Sequence, residues 1–349
     1  MFYIHNTACI SPQQTFSDID INILHESVDN KLFSREPFNK DIPPNILRRM
    51  GKAVRMIVGA ALPMIKNISL INGIIIGTSN GGNEECMQFL NQVIDYDEGM
   101  LTPLNFVSGT PNAMAAQLGL LINNFEYNIT HVHRGLAFEH TIIDVDMLIT
   151  ENPGNTYLFG AVDDISIGNY VVEKKSGSYK KEILSNKNIY KGNSPGSIAG
   201  EGAAMFLANG NKANALVKVE GISTLHTEDS EIIKIQLQHF LKKYLPSEEK
   251  IDLLLSGENG DGRLLKYYNS CEALINDDIT IARFKHMSGE YPTASAMAFW
   301  LACNILQNQN VPEHMIKRKA DKNFYKRILI YNNYKGFQHS FILISNHNN

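Results

Sequence analysis

Short apolar runs alternate with stretches of helical spacing along this chain, and the alternation occurs twice. In the first half, Ile68-Ser-Leu-Ile-Asn-Gly-Ile-Ile-Ile76 reads as a buried strand. It ends in the turn Gly77-Thr-Ser-Asn-Gly-Gly82, and helical spacing follows from Glu84 to Val93. A small-residue helix over Pro111–Leu121, a strand over Ile129–Val132, a helix over Ala137–Thr150 and a strand over Thr156–Val162 come next. The second half restates the order. Ala215–Gly221 is a strand, Ser230–Leu245 an amphipathic helix stopping before Pro246, and Ile251–Leu255 and Thr280–Phe284 are strands. Pro292–Cys303 is a small-residue helix, and Arg327–Tyr331 with Ser340–Ser345 closes the pattern. Strands joined by crossover helices predict an α/β fold with a largely parallel core. Two such units in tandem predict two pseudo-symmetric βα halves, 1–212 and 213–349, with a site where their strand ends meet.

The 349 residues suffice for two packed halves. A net charge of −4 gives no general drive toward nucleic acid or anionic membrane. No apolar run reaches the roughly 18 residues of a membrane span. The start, Met1-Phe-Tyr-Ile-His5, lacks the pattern of a secretory signal, so a cytoplasmic location is expected. Cys9, Cys86, Cys271 and Cys303 are scattered without metal-ligand spacing and read as buried reduced thiols. Cys86, early in a helix, has a second reading as a reactive thiol. No metal and no cofactor is expected. The Gly77–Gly82 loop matches neither a dinucleotide fingerprint nor a P-loop and reads as a tight turn. Trp300 reads as core. Residues 166–196, with Lys174, Lys175, Lys180, Lys181, Lys187 and Lys191, break the pattern. They read either as a solvated surface excursion or as a docking patch for an acidic partner.

Several segments carry a resemblance. Thr102-Pro-Leu-Asn-Phe106 precedes Asn112-Ala-Met-Ala-Ala-Gln-Leu118; Gly200-Glu-Gly-Ala203 follows, then Lys285 with Gly289, then Gly336-Phe337. In this order they resemble the β-ketoacyl-ACP synthases, and within them the chain length factors of type II polyketide systems. The likeness runs from about residue 70 to 345. It implies a thiolase-like fold, with two halves in an αβαβα layered arrangement.

The resemblance also implies where chemistry ought to stand. A nucleophilic cysteine is expected at the strand-to-helix elbow within Asn128-Ile-Thr-His-Val-His-Arg-Gly-Leu-Ala137, and that position is Gly135. The two histidine positions are Glu258 and Glu290, and Lys285 is retained. Covalent catalysis needs an activated nucleophile. A carboxylate repels the enolate that an imidazole stabilises by hydrogen bonding. The resemblance therefore implies a catalytically inactive subunit that pairs with an active ketosynthase and serves an acyl carrier protein through the complex. Phe106, Asn112, Arg134, Phe138 and Phe337 are the implied acyl-tunnel or interface residues, and 100–145 the main contact region. Phe337 has a second reading as core. The short chain fits systems serving aryl-polyene or flexirubin-type pigments.

A different class stays open. Glu258 and Glu290, with His131, His133, His140 or Arg134, form either a buried ion-pair network or an acid–base pair. The second reading makes the protein a stand-alone acyl-thioester hydrolase, dehydratase or acyltransferase. A silent homodimer is a third possibility.

Overall fold

The computed structural model describes residues 1–35, 42–68, 70–245, 249–322 and 324–346. Ser69, within the expected strand 68–76, and Pro246 lie outside the described residues.

One sheet of eleven strands organises the described residues. They are β1 (Phe2–Ile10), β2 (Gly73–Thr78), β3 (Tyr127–Val132), β4 (Tyr157–Asp163), β5 (Gly202–Asn209), β6 (Val217–His226), β7 (Leu253–Ser256), β8 (Thr280–Arg283), β9 (Ile316–Arg318), β10 (Arg327–Tyr334) and β11 (Gln338–Ser345). Their spatial order is β9-β8-β7-β10-β11-β6-β1-β5-β4-β2-β3. The first five strands pair in the order third, second, fourth, fifth, first. Strands β6, β7, β8, β10 and β11 repeat that order, so the tandem pattern of the sequence is a repeat of topology. In each half the second strand runs parallel to both neighbours: Ile75 faces Ile129 and Phe159, and Leu254 faces Ile281 and Leu329. The halves join through antiparallel β1 and β6, with Tyr3 opposite Lys218.

Strand alternation sends successive side chains to opposite faces, and the helices sort accordingly. Ile74, Ile76 and Leu158 pack with helices α1 (Lys52–Ile65) and α2 (Ala113–Leu121). Ile75, Phe159, Ile328 and Ile330 turn inward to α3 (Ala137–Glu151) and α6 (Ala294–Asn308). Leu329, Tyr331 and Leu343 pack against α4 (Ser230–Tyr244) and α5 (Leu265–Glu272). The result is helix, sheet, helix, sheet, helix. Helix α6 is apolar on all sides, as a central helix must be. Trp300 is buried on it, as expected.

The sequence pattern did not signal β1, α1 or the edge strand β9. Phe138 needs correction: it is not at a tunnel or interface but in the central layer. It is fully buried against Phe159, Phe206 and Phe299 at 5.7–6.3 Å. The 166–196 segment also departs from a solvated excursion. It contains the helix Ile167–Lys175, and Lys180 is buried with its ammonium donating to Ser194 and to the Gly260 carbonyl at 2.9 Å.

Candidate functional site

A cavity of about 440 Å³ opens where the C-terminal ends of β2, β4, β7 and β10 approach one another. Asn80 and Asp164 contribute from the first half, and Asn259, Glu290, Tyr334 and Phe337 from the second.

The elbow lies beneath this cavity and is closed. A β-carbon built on Gly135 would stand 2.2 Å from the Tyr334 β-carbon and 2.4 Å from its ring. Only glycine fits. The Gly135 amide donates to the Gln338 side chain at 2.9 Å, which ties the elbow to the β10–β11 hairpin. Tyr334 is aimed by the turn Tyr334-Lys335-Gly336-Phe337, whose central residues have φ of 55° and 81°. Both are left-handed, as a type I′ hairpin turn requires. The preceding residue, Arg134, is exposed and also left-handed, with φ of 49°.

Neither elbow residue supplies a thiol, and no cysteine lines the cavity. Burial pushes the Cys9 and Cys271 thiols up to about 12 and raises Cys303 further. Such thiols stay protonated and inert. Cys86 is partly buried, on the helix Asn83–Asp95.

Glu290 does face the cavity. One carboxylate oxygen accepts from the Lys285 ammonium at 2.8 Å, the other from the Asn259 amide at 2.7 Å. Lys285 is completely buried, so this ion pair is its compensation. Close backbone approach brings the two motifs together: a β-carbon on Gly200 would meet the Ser288 carbonyl at 1.9 Å. Glu201, also fully buried, accepts from the Ser34 and Ile165 amides and pairs with Lys52. The Gly-Glu-Gly-Ala segment is thus a structural anchor.

Glu258 does not face the cavity. It pairs with Arg283 at 3.0 Å and with Lys317, which also holds Glu272 at 2.9 Å. Arg283 stacks on Tyr190 at 3.7 Å. This corrects the pairing expected from sequence: Asn259, not Glu258, meets Glu290. The elbow cations meet neither carboxylate. His131 pairs instead with Asp144 at 2.9 Å, and His133 stacks on His140 with ring centres 4.4 Å apart. Among the described residues, no three His, Cys, Asp or Glu side chains are grouped so as to hold a metal ion. Burial and the two neighbouring histidines hold His140 below its ordinary value.

The remaining expected residues divide. Phe106 is exposed, with its ring 5.3 Å from that of Phe89. Asn112 is exposed and accepts from Thr130 at 3.3 Å. Phe337 is partly buried and lines the cavity, packing on His226 at 5.0 Å, so it is not core.

Sequence reasoning missed four site residues. Asp163 accepts from the Ser79 and Asn80 amides and from Thr293, fastening the β2 loop to the start of α6. Asp164 lines the cavity. Glu139, on α3 just after the elbow, is fully buried; burial pushes it up to about 7, against its hydrogen bond from Ser340. Tyr334 fills the elbow. Adjacency was the available signal for two of them: Tyr334 precedes Gly336-Phe337, and Glu139 follows the elbow by four residues.

No family model matches the chain, and no curated protein matches it. Solved structures do. A ketosynthase in complex with its chain length factor from Xenorhabdus doucetiae superposes with a TM-score of 0.80 at 12% identity, covering 99% of this chain and 98% of that one. The ishigamide ketosynthase/chain length factor gives 0.79 at 12%, covering 99% of each. A type II polyketide acyl carrier protein complexed with its ketosynthase gives 0.74 at 14%, again covering 99% of each. At such identities the likeness is one of fold, and it spans the whole chain: this is a thiolase-like α/β protein that resembles the ketosynthases and their chain length factors.

Proposed function

We propose that the protein is a non-catalytic ketosynthase-like subunit, a chain length factor. It pairs with an active β-ketoacyl-ACP synthase and shapes that partner's acyl tunnel during polyketide or fatty-acid-type elongation. The observation that carries this reading is Tyr334 in the space a nucleophile at residue 135 would need. The charges agree with it. Glu290 puts a carboxylate where an enolate would form, and the Asn259 amide is already committed to that carboxylate. Repulsion in a desolvated site is large compared with that in water.

The surface supports pairing. Among the described residues strand β3 ends the sheet, and one row of its backbone groups has no neighbouring strand there. Around it Phe106, Val107, Leu120, Phe125 and Val132 are exposed. An unpaired edge beside exposed apolar side chains suits strand addition by a chain of the same fold. The acyl carrier protein is reached through the complex, and an aryl-polyene or flexirubin-type product is the finer expectation. In this reading 1–212 and 213–349 remain the two structural halves. Among the described residues, no helix is long and apolar enough to cross a membrane.

The stand-alone acyl-thioester enzyme loses its geometry, because Glu258, Glu290 and the elbow histidines do not converge. The test is expression of the chain alone and together with each ketosynthase of the same genome. A stable heterodimer that elongates acyl chains, with the lone chain inert, is expected. Elongation or thioester turnover by the lone chain would refute the proposal.

A further inference from the structure

The cavity has walls and charges that the proposed role does not use. Tyr170, Tyr179, Tyr291, Tyr334 and Phe337 all line it. Tyr170 and Tyr179 stack with ring centres 5.3 Å apart. Burial raises Tyr179, Tyr291 and Tyr334, so these phenols stay neutral and offer π faces and hydroxyls. The faces already draw cations of the chain itself: the Lys31 ammonium lies 4.1 Å from the Tyr170 ring centre, and that of Lys335 lies 5.4 Å from Tyr334.

Four carboxylates share the same walls: Asp164, Glu173, Asp261 and Glu290. Three are compensated. Glu173 pairs with Lys335 at 2.7 Å, Asp261 with Arg263, and Glu290 with Lys285. Asp164 has no hydrogen-bond or ion-pair partner among the described residues. Burial and the neighbouring carboxylates of Glu201, Asp163 and Glu85 push it up to about 7, against the weaker pull of the Lys52 ammonium, which is itself paired with Glu201. A cation beside it would relieve that repulsion, whereas an anion would add to it. Aromatic faces and a carboxylate in a partly desolvated pocket are the elements that recognise organic ammonium groups. The volume suits a small ligand.

We infer that this cavity is a binding site for a small organic cation, an amine held by Asp164 between tyrosine faces. The inference goes beyond the subunit role and stands independently of it, since it needs neither a partner nor turnover.

Calorimetry and thermal unfolding with benzylamine, benzyl alcohol and benzoate on the full chain test it. Benzylamine is expected to bind at one site and raise Tm with concentration, with benzyl alcohol at least tenfold weaker and benzoate not binding. Asp164→Asn is expected to lower benzylamine affinity at least tenfold. Glu173→Gln, which leaves the Lys335 ammonium uncompensated in the cavity, is expected to weaken it as well. A normal circular dichroism spectrum and unfolding transition without ligand confirm that each variant folds. Benzyl alcohol or benzoate binding as tightly as benzylamine would overturn the inference. So would benzylamine affinity unchanged in both variants, or no benzylamine binding to the wild-type chain.

Discussion

The Tyr334 ring lies against the α-carbon of Gly135, so that any side chain at the elbow and this tyrosine exclude each other. Gly135→Ala therefore forces a backbone shift, since the nearest atom is the Tyr334 β-carbon, which no rotation of the ring can move away. Overpacking of this kind costs about 1–3 kcal/mol or more. We expect that loss in urea unfolding, and a smaller loss when Gly135→Ala is made in a Tyr334→Gly background, which removes the clashing β-carbon as well as the ring. Equal stability of Gly135→Ala and wild type would show that the elbow backbone yields freely and that the two residues do not exclude each other.

Gly135→Cys with Tyr334→Gly, which clears both the β-carbon and the ring from the elbow, is expected to remain unable to condense acyl thioesters, because Glu290 still repels an enolate. Condensation measured with an acyl thioester and a malonyl thioester decides this. Activity from the double variant alone would show that the elbow was the sole lesion.

Lys285 and Glu290 form a buried pair, with Lys285 fully enclosed. Removing either partner leaves the other charge uncompensated, at a cost of about 3–5 kcal/mol. Lys285→Met and Glu290→Gln should each be strongly destabilised, while Lys285→Met combined with Glu290→Gln should recover much of the loss. A double-mutant cycle by chemical denaturation measures the coupling, and additive single effects would contradict the pairing.

Glu139 links stability to pH. Burial raises it from its usual 4.5 to about 7 in the folded chain. The folded state thus holds a proton that the unfolded state releases, so stability declines as pH rises from about 4.5 to 7. Below that window the contribution is fully present, and above it the loss is complete, at on the order of 3 kcal/mol. Glu139→Gln should flatten the decline by up to one proton in urea titrations across this range. An unchanged slope would place the ionisation elsewhere.

Phe106 and Phe125 are 62% and 84% exposed. Phe106→Asp and Phe125→Asp should leave the stability of the isolated chain within about 0.5 kcal/mol. Both should abolish co-purification with a ketosynthase partner. Retained association would move the interface away from the β3 edge.

Much of the fold was legible in the chain itself. Buried strands such as Ile74–Ile76 and Leu253–Leu255 declare themselves as apolar runs, and amphipathic α4 by its period. The first strand, Phe2–Ile10, was not legible, because its burial is interrupted at residues 5–8 and its partners, β5 and β6, lie some 200 positions away. Helix α1 was missed because Gly59 and Pro63 interrupt its helical pattern. At the site, the sequence alone determined that the elbow has no nucleophile and that acids stand at 258 and 290, since these are matters of residue identity. Only the tertiary structure decided that Glu258 turns into an ion-pair network, that Asn259 meets Glu290, and that Tyr334 fills the elbow. Those outcomes depend on which side of a loop or hairpin each side chain leaves, and that is set by left-handed turn residues and by packing between segments far apart in the chain.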